Sequence, residues 1–440
     1  MLTSVLAFVF VLGVLIFVHE LGHYVMARRI GVRVLTFSLG FGPKLVNVRR
    51  GDTDYCISAI PLGGYVKMAG ETVEDERTGA PDEFLSKSKW QRFQVLVAGP
   101  VMNILLSIVV LAVVLYQGAD VPAYEQQVPL VGRVVEGSAA ARAGIAKGDR
   151  IVSIADKTVE TWEQVFMAVL PKANREVRVV VRREGRDRTL SVTPDAQTKY
   201  EIGDIGVLPE IHPQVLGVVP GDPAAEAGVQ VGDVVLGVDD RMDVNRTDLI
   251  EYIQRHDAAP ITLHLRRGGQ VIDLQMTPRF KGDVAAIGAN LSYYELRTIE
   301  PGPLQAIQMS LERNWEWSRL IVQTLVGLFT RETSVRQLMG PVAIAEMSGG
   351  AAQLGWIALF NLMAMISLNL GLLNLMPIPV LDGGHITILA LEGLARRDFS
   401  MRVKEKLLIG GFVLLLMLMV TVIYNDLTRV QWIENLMFWR

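Results

Sequence analysis

Long apolar stretches separated by polar connections divide the chain, and four of these stretches are long enough to cross a bilayer as helices. They cover residues 4–27, 95–116, 354–376 and 407–424. Lysine and arginine are concentrated in the connections that follow the first and third stretches, at Arg28, Arg29, Arg33, Lys44, Lys87, Lys89, Arg92, Arg396, Arg397, Arg402, Lys404 and Lys406. Since positively charged connections stay in the cytoplasm, the pattern predicts both termini and the segment 117–353 on the opposite side.

The first connection, residues 32–70, has the alternation and the residue types of β-strands rather than of a helix. Strands are expected at 32–39, 44–48 and 55–60, with a turn at 50–53. A sheet beside a membrane site must be shielded by protein or line a cavity, and its unpaired edge could accept an extended peptide. An ordinary cytoplasmic hairpin explains the same pattern, so both interpretations stay open.

Residues 120–290 differ in character, because they carry an internal repeat with a constant offset of 84 residues. Residues 136–149 (EGSAAARAGIAKGD) align with residues 220–233 (PGDPAAEAGVQVGD). Each block is followed by a predicted strand, a helix and two more strands, at 150–154, 162–170, 176–183 and 189–192 in the first copy and at 234–238, 247–254, 261–267 and 271–276 in the second. Each copy holds about 80 residues, which is enough to fold independently.

The repeated block resembles the helix and the following turn of bacterial PDZ domains. The resemblance implies two α/β domains, at residues 120–208 and 209–290. PDZ domains commonly bind an extended peptide or a C-terminus along a strand edge, so peptide C-termini are candidate partners. A role as a spacer or a gate that binds no peptide explains the repeat equally well.

Residues 291–353 connect the repeat to the third apolar stretch. The segment 303–330 has the pattern of an amphipathic helix, and its apolar part, residues 318–329, is too short to span a bilayer. Trp315 and Trp317 are typical of a helix at the membrane interface. We therefore expect interfacial helices in this connection.

Composition narrows the functional class. Hydrophobic residues make up 50% of the 440 residues and the net charge is only −3, so nothing indicates binding to nucleic acid. The chain has one cysteine, Cys56, and therefore no intrachain disulfide framework. Cys56 could be a soft metal ligand, although a small buried apolar residue is the more typical role.

A His-Glu-x-x-His pattern lies in the first apolar stretch, at His19, Glu20 and His23. On a helix the two histidines lie on one face about 6 Å apart, so both imidazoles can reach one metal ion. Glu20 points about 100° away around the helix, where it could polarise a water molecule without being a ligand. This is the arrangement of zinc hydrolases; histidines that cap a helix end are the alternative. His19 lies roughly 12 Å below the expected membrane surface, and ionisable residues at that depth suggest function.

The third apolar stretch ends in a loop that can supply a third metal ligand. Pro377 and Pro379 end the helix, and Asp382 follows in a glycine-bounded loop on the predicted cytoplasmic side. Asp382 is the first candidate, and His385 is its rival because nitrogen ligands are favoured by zinc. Asp382 could instead cap a helix at 385–395.

The His-Glu-x-x-His pattern, the segment Asn-x-x-Pro-x-Pro-x-Leu-Asp-Gly-Gly at residues 374–384 and the PDZ-like repeat together resemble the site-2 protease family of intramembrane metalloproteases. The resemblance covers essentially the whole chain. The residue roles that it implies are zinc ligation by His19, His23 and Asp382, general-base catalysis by Glu20, and substrate binding by Gly40, Phe41, Gly42, Tyr65, Asn374, Pro377 and Pro379.

The expected fold is a polytopic α-helical membrane protein with four transmembrane helices, a membrane-associated β-sheet and two α/β PDZ domains. Its membrane parts would be residues 1–116 and 354–440. The resemblance implies an enzyme of the bacterial inner membrane that cleaves a transmembrane segment of single-pass proteins, such as an anti-sigma factor or a remnant signal peptide. A catalytically inactive PDZ adaptor is the alternative, and the intact Glu20 argues against it. A metal transporter would need ionisable residues in several spans, and the second and fourth spans have almost none at their centres.

Overall fold

The structure is a computed structural model that describes residues 2–71, 79–197, 201–255, 259–281, 284–330 and 333–428. The parts of the predicted domains that fall between these ranges or after them lie outside the described residues. The chain divides into two compact units. One unit runs to Gln117 and resumes at Glu300, and the other is mainly Gly118–Ile299.

The unit that runs to Gln117 and resumes at Glu300 is called the membrane unit below. It begins with two long helices on either side of two strands. They are α1 (Leu2–Arg29), β1 (Val34–Arg50), β2 (Thr53–Met68) and α2 (Lys89–Tyr116). Most of α1 and α2 is apolar, as expected for helices that lie in lipid. A helix suits this environment because it satisfies its backbone N–H and C=O groups within the segment itself. The predicted strands at 32–70 are confirmed, although the structure joins them into two long strands.

The start of α2 differs from the expected residue 95, because polar residues begin the helix. Ser88 Oγ accepts a hydrogen bond from the N–H of Gln91 at 3.3 Å, and the Gln91 side chain accepts one from the N–H of Ser88 at 3.1 Å. This capping box satisfies two free N–H groups at the helix start. A hydropathy pattern does not contain that signal, so it misses the first turns of α2.

In the sheet, the beginning of β1 has neighbours on both sides. Phe37 is opposite Val66 near the end of β2 and also opposite Tyr55 in its first half. The segment 64–68, which contains Tyr65, therefore forms one edge of the described sheet. At this edge, Gly64 lies against the side chains of Ile16 and Glu20 in α1.

An aromatic cluster fixes the sheet against α1 beside the His-Glu-x-x-His pattern. The hydroxyl groups of Tyr24 and Tyr55 are 2.6 Å apart and share a hydrogen bond. The Tyr24 ring also packs edge-on against Phe37, with ring centroids 5.6 Å apart. Because Tyr24 directly follows His23 in the chain, the sheet is held next to the histidines.

The second unit opens with strand β3 (Ala119–Pro122), and the first copy of the repeat follows. Its elements are β4 (Arg133–Val134), α3 (Ala139–Ala143), β5 (Arg150–Ile154), β6 (Lys157–Thr158), α4 (Trp162–Val169), β7 (Val177–Arg183), β8 (Arg186–Val192), β9 (Asp195–Gln197), β10 (Ile202–Asp204) and β11 (Val207–Leu208). The main sheet has the order β6-β5-β7-β8, and β4 pairs with β11. Trp162, which starts α4, is buried in the core between this helix and the sheet.

The second copy has the same order of elements. They are β12 (Val215–Val218), α5 (Pro223–Glu226), β13 (Val234–Val238), β14 (Arg241–Met242), α6 (Arg246–Arg255), β15 (Ile261–Arg267), β16 (Gln270–Met276), β17 (Arg279–Lys281), β18 (Val284–Ala286) and β19 (Ala289–Leu291). Its main sheet is β14-β13-β15-β16, and β12 pairs with β19. The strands and helices predicted after each repeated block are therefore confirmed. Strand β20 (Leu296–Ile299) then pairs antiparallel with β3.

A buried ion pair recurs in the two copies with the same offset. Arg183 holds Asp149 through two hydrogen bonds of 2.6 and 2.7 Å. Arg267 holds Asp233 in the same way, with two bonds of 2.7 Å. The Asp149 side chain is 0% exposed and that of Asp233 is 1% exposed, so each carboxylate depends on its arginine for compensation.

In the part of the chain that the structure describes, the membrane unit resumes with the α-helices α7 (Pro303–Phe329), α8 (Pro341–Leu354), α9 (Trp356–Asn374), α10 (Asp382–Leu394) and α11 (Met401–Thr428). Within the described ranges, α1, α2, α9 and α11 are long and apolar enough to cross a membrane, which agrees with the number of spans that the sequence predicts. The α2 helix contacts α1, α7, α9 and α10. It is therefore the central support of the site described next.

Candidate metal centre

Two histidines and an aspartate meet where α1, α2 and the start of α10 come together. The Nε2 atoms of His19 and His23 are 3.2 Å apart. Oδ2 of Asp382 lies 3.2 Å from Nε2 of His19 and 3.5 Å from Nε2 of His23. A tetrahedral zinc ion with bonds of about 2.0–2.1 Å needs ligand atoms about 3.3–3.4 Å apart. The three atoms therefore have the spacing of one face of such a site, and the described residues add no fourth ligand to this group.

The other nitrogen of each imidazole is held by α2. Nδ1 of His23 donates to the carbonyl oxygen of Val95 at 2.8 Å. Nδ1 of His19 lies 3.2 Å from Nδ2 of Asn103. Val95 and Asn103 are eight positions apart, about 80° around the helix axis, so both lie within one broad face of α2. These contacts orient both Nε2 atoms toward Asp382, as is usual for histidines that bind metals.

Gly99 lies between these two supports and leaves room for the ring of His23. A Cβ atom at this position would be 2.2 Å from Nε2 of His23. Any larger residue would therefore displace the ring. The spacing Val95, Gly99, Asn103 on α2 matches the four-residue spacing of the histidines on α1.

Asp382 is brought to the histidines by the loop after α9. The helix predicted at 385–395 begins three residues earlier, at Asp382, and its N-cap is Leu381, with no side-chain capping bond. Gly384 allows close packing of this turn on the loop, since a Cβ atom there would be 2.2 Å from the carbonyl oxygen of Ile378. The carboxylate contacts the histidines instead of capping the helix, and His385 does not join the group of ligand atoms.

Glu20 lies beside the group formed by His19, His23 and Asp382, and its side chain packs against β2. Its residue is 9% exposed, and a Cβ atom on Gly64 would be 2.9 Å from its Cγ. Gly64 precedes Tyr65 in the edge segment of β2. The carboxylate that could act as a base is therefore next to the strand edge that could hold a peptide.

The remaining residues predicted to bind substrate lie in two segments of the chain, one in the sheet and one in the stretch that leads to Asp382. The ring of Phe41 stacks on that of Tyr65, with centroids 6.2 Å apart and planes at 6°. Gly40 and Gly42 flank Phe41 in the irregular middle of β1. In the second segment, the loop that leads to Asp382 contains Pro377 and Pro379, after Asn374 at the end of α9.

The sequence interpretation missed Gly99 and Asn103. A signal for Asn103 is nevertheless present, since Asn103 and Ser107 are the only polar residues in the stretch 95–116 apart from the final tyrosine. A polar side chain inside a lipid-spanning helix usually has a partner in the bundle. The identity of that partner follows only from the packing of α1 against α2.

A second group of potential ligands lies in the second unit, at Glu210, His212 and Asp243. Its two carboxylate residues are exposed. The ammonium group of Lys147 bonds to Asp243 at 2.9 Å and lowers the pKa of this carboxyl. Because Lys147 already compensates the charge of Asp243, the cluster of Glu210, His212 and Asp243 does not resemble a metal site.

Comparison with known proteins agrees with this geometry. The sequence profile of peptidase family M50 matches residues 7–418. The regulator of sigma-E protease of Escherichia coli is 33% identical over 96% of this chain and 98% of its own length. A protease of Yersinia pestis is 33% identical over 97% and 99%, and a putative zinc metalloprotease of Ralstonia nicotianae is 34% identical over 97% and 98%. The chain therefore belongs to peptidase family M50, the site-2 protease family of zinc metalloproteases.

Proposed function

We propose that this protein is a zinc-dependent intramembrane endopeptidase that cleaves a transmembrane segment of single-pass membrane proteins. The observation that carries the proposal is the triangle of ligand atoms, 3.2–3.5 Å on each side, inside a bundle of apolar helices. The proposal assigns zinc ligation to His19, His23 and Asp382 and the role of general base to Glu20. An inactive adaptor is not proposed, because the family is one of metalloproteases and Glu20 is intact.

The chemistry is divided between the metal and the chain. When bound, zinc supplies Lewis acidity for the scissile carbonyl. Glu20 accepts a proton from the attacking water and returns it to the leaving amine, and general acid–base catalysis of this kind contributes about 10²–10⁴-fold. The burial of Glu20 favours this role, because electrostatic interactions are stronger where water is excluded.

The substrate must lose helical structure before cleavage, since the carbonyl groups of a transmembrane helix are engaged in hydrogen bonds four residues apart. An edge strand can replace those bonds. The segment around Tyr65 offers such an edge next to Glu20, and Phe41 supports it by stacking. Asn374, Pro377 and Pro379 are proposed to hold the substrate backbone from the opposite side, together with Gly40 and Gly42 beside Phe41.

The proposed location is the bacterial inner membrane, with the site toward the cytoplasm and the repeats in the periplasm. The basic connections support this orientation. Several relatives are named regulators of sigma-E protease. An anti-sigma factor is therefore the proposed substrate, cleaved to release a cytoplasmic fragment in envelope stress signalling, and remnant signal peptides are a second class.

The direct test uses purified enzyme in liposomes with a single-pass substrate whose transmembrane segment carries a label at each end. Glu20→Gln should keep zinc bound and lose at least about 100-fold in cleavage, because the base is removed while the ligands remain. His212→Ala, far from the motif in sequence, is the matched control and should cleave normally. Near-normal turnover by Glu20→Gln would contradict the assigned role.

The two repeats are proposed to be PDZ domains that select substrates by size. Steric exclusion of untrimmed external domains would make this cleavage the second step after another protease. The design of a deletion follows from the ladder between β3 and β20, where the N–H of Ala123 donates to the carbonyl of Glu295 at 2.9 Å. A short turn can therefore replace residues 124–294.

A steric gate predicts that this deletion increases cleavage of an untrimmed substrate and changes cleavage of the trimmed form little. Both substrates are compared with both enzymes in the same membrane, and zinc content is measured as a control for the site. Loss of cleavage of both forms with zinc still bound would refute the gate. That outcome would favour docking of peptide C-termini on the PDZ domains.

A further inference from the structure

One amide group in the middle of α2 faces the histidine cluster. Asn103 is 0% exposed, and its Nδ2 lies 3.2 Å from Nδ1 of His19. Within the described part of the chain, its Oδ1 is buried and has no hydrogen-bond partner. A buried acceptor without a partner is costly and calls for an explanation.

The protonation of a metal-binding histidine supplies that explanation. A neutral imidazole that binds metal through Nε2 carries its proton on Nδ1, which is then a donor. An amide N–H cannot donate to it. The oxygen and nitrogen of an asparagine amide occupy nearly equivalent positions and exchange by a half-turn of the group. After that half-turn Oδ1 faces Nδ1 of His19, and the orphaned oxygen gains a donor.

We infer that Asn103 is a positioning residue for His19, whose Nδ1–H donates to the Asn103 amide oxygen. This inference rests on the proposed ligation of zinc by His19. The hydrogen bond fixes the tautomer and the ring orientation, so Nε2 is directed at the metal position. Among the described contacts, the Nδ1–H group of His23 is held by a backbone carbonyl, that of Val95. A substitution cannot remove a backbone carbonyl, so only the side-chain support of His19 can be tested by mutation.

The backbone around Asn103 is itself held in place. Ser367 Oγ in α9 donates to the carbonyl oxygen of Asn103 at 2.7 Å. Asn103 is therefore held by α9 through its backbone carbonyl and faces α1 with its side-chain amide. One turn further along α2, Ser107 is equally buried but bonds to Asn314 at 2.6 Å and contacts neither histidine in the hydrogen-bond network described.

The test measures zinc affinity of the full-length enzyme by competition with a chelator. Asn103→Leu removes the acceptor and keeps the branching and the number of heavy atoms of the side chain, and it should weaken zinc binding by about 10–100-fold, the usual effect of losing such a support. Asn103→Asp keeps an acceptor and has no N–H donor, so its zinc affinity should equal or exceed that of the parent enzyme. Ser107→Ala is the matched control and should leave zinc affinity unchanged.

Equal weakening by Asn103→Asp and Asn103→Leu would mean that the N–H group is what matters, and would overturn the inference. Unchanged affinity in Asn103→Leu would overturn it too. A second measurement does not depend on the aspartate variant folding. In zinc-loaded enzyme with ¹⁵N-labelled histidine, the Nδ1–H proton resonance of His19 should move upfield in Asn103→Leu while that of His23 stays.

An unmoved His19 proton would refute the hydrogen bond. The proposed function fails in a different way, since a parent enzyme that binds no zinc at His19 would show no metal-dependent change in the His19 imidazole. That result would overturn the ligand assignment and this inference with it. The two failures are therefore distinguishable in one set of spectra.

Discussion

Gly99→Ala adds one methyl group against the ring of His23. The new Cβ would be 2.2 Å from Nε2, 2.6 Å from Cε1 and 2.8 Å from Cδ2 of that ring. Contacts of real Cβ atoms are rarely shorter than 3.4 Å, so the ring must move by about 1.2 Å in a close-packed interior. His23 is only 8% exposed, and its Nδ1 bonds to Val95 at 2.8 Å. The movement must break this bond or tilt the ring.

Zinc–nitrogen bonds of about 2.0–2.1 Å do not tolerate a displacement of that size. We expect zinc binding to weaken at least about 10-fold, the lower limit for loss of a ligand's support. Cleavage should fall by about 100-fold, the effect of misplacing a catalytic group by about 1 Å. The helix should not suffer, because alanine is more favourable than glycine in a helix interior by about 0.5–1 kcal/mol.

The assay measures bound zinc by elemental analysis and cleavage of a labelled transmembrane substrate in the same preparation. Gly13→Ala is the matched control, since it makes the same change in α1 at a position with no atom within 4 Å of the new Cβ. It should keep full zinc content and activity. Normal zinc and normal cleavage in Gly99→Ala would refute the packing of His23 on α2.

Two further predictions test other parts of the chain. Asp382→Asn should lower zinc content and cleavage, because a neutral amide is a poor zinc ligand, whereas His385→Ala should change neither strongly; the reverse result would contradict the ligand assignment. In the first repeat, the hydrogen bonds from Arg183 hold the pKa of Asp149 below its ordinary value of 3.8. The pair therefore stabilises this repeat above about pH 4, and that stability is lost as the pH falls further. Hydrogen-exchange protection in the first repeat, corrected for the intrinsic exchange rate at each pH, should fall more between pH 6 and pH 3 in the parent than in Asp149→Asn, and an equal fall would count against the pair.

Local and periodic features of the sequence determined much of this structure. Among the described residues, four helices are long and apolar enough to cross a membrane. They follow from uninterrupted apolar stretches, because a helix satisfies its own backbone hydrogen bonds where water is absent. The repeat at an offset of 84 residues predicted the matching strands and helices of the second unit. His19 and His23 are four residues apart, so helical geometry alone brings them together.

Tertiary packing decided what completes the site. Asp382 and His385 are both plausible zinc ligands by chemistry, and only the turn of α10 on its preceding loop brings the aspartate to the histidines. Val95 and Asn103 lie 72 and 84 residues from the histidines that they support. No local pattern encodes such contacts, because they depend on how α1 and α2 align along each other. That alignment is set by side-chain packing over the whole helix interface, and a position on one helix has no fixed partner until the packing is complete.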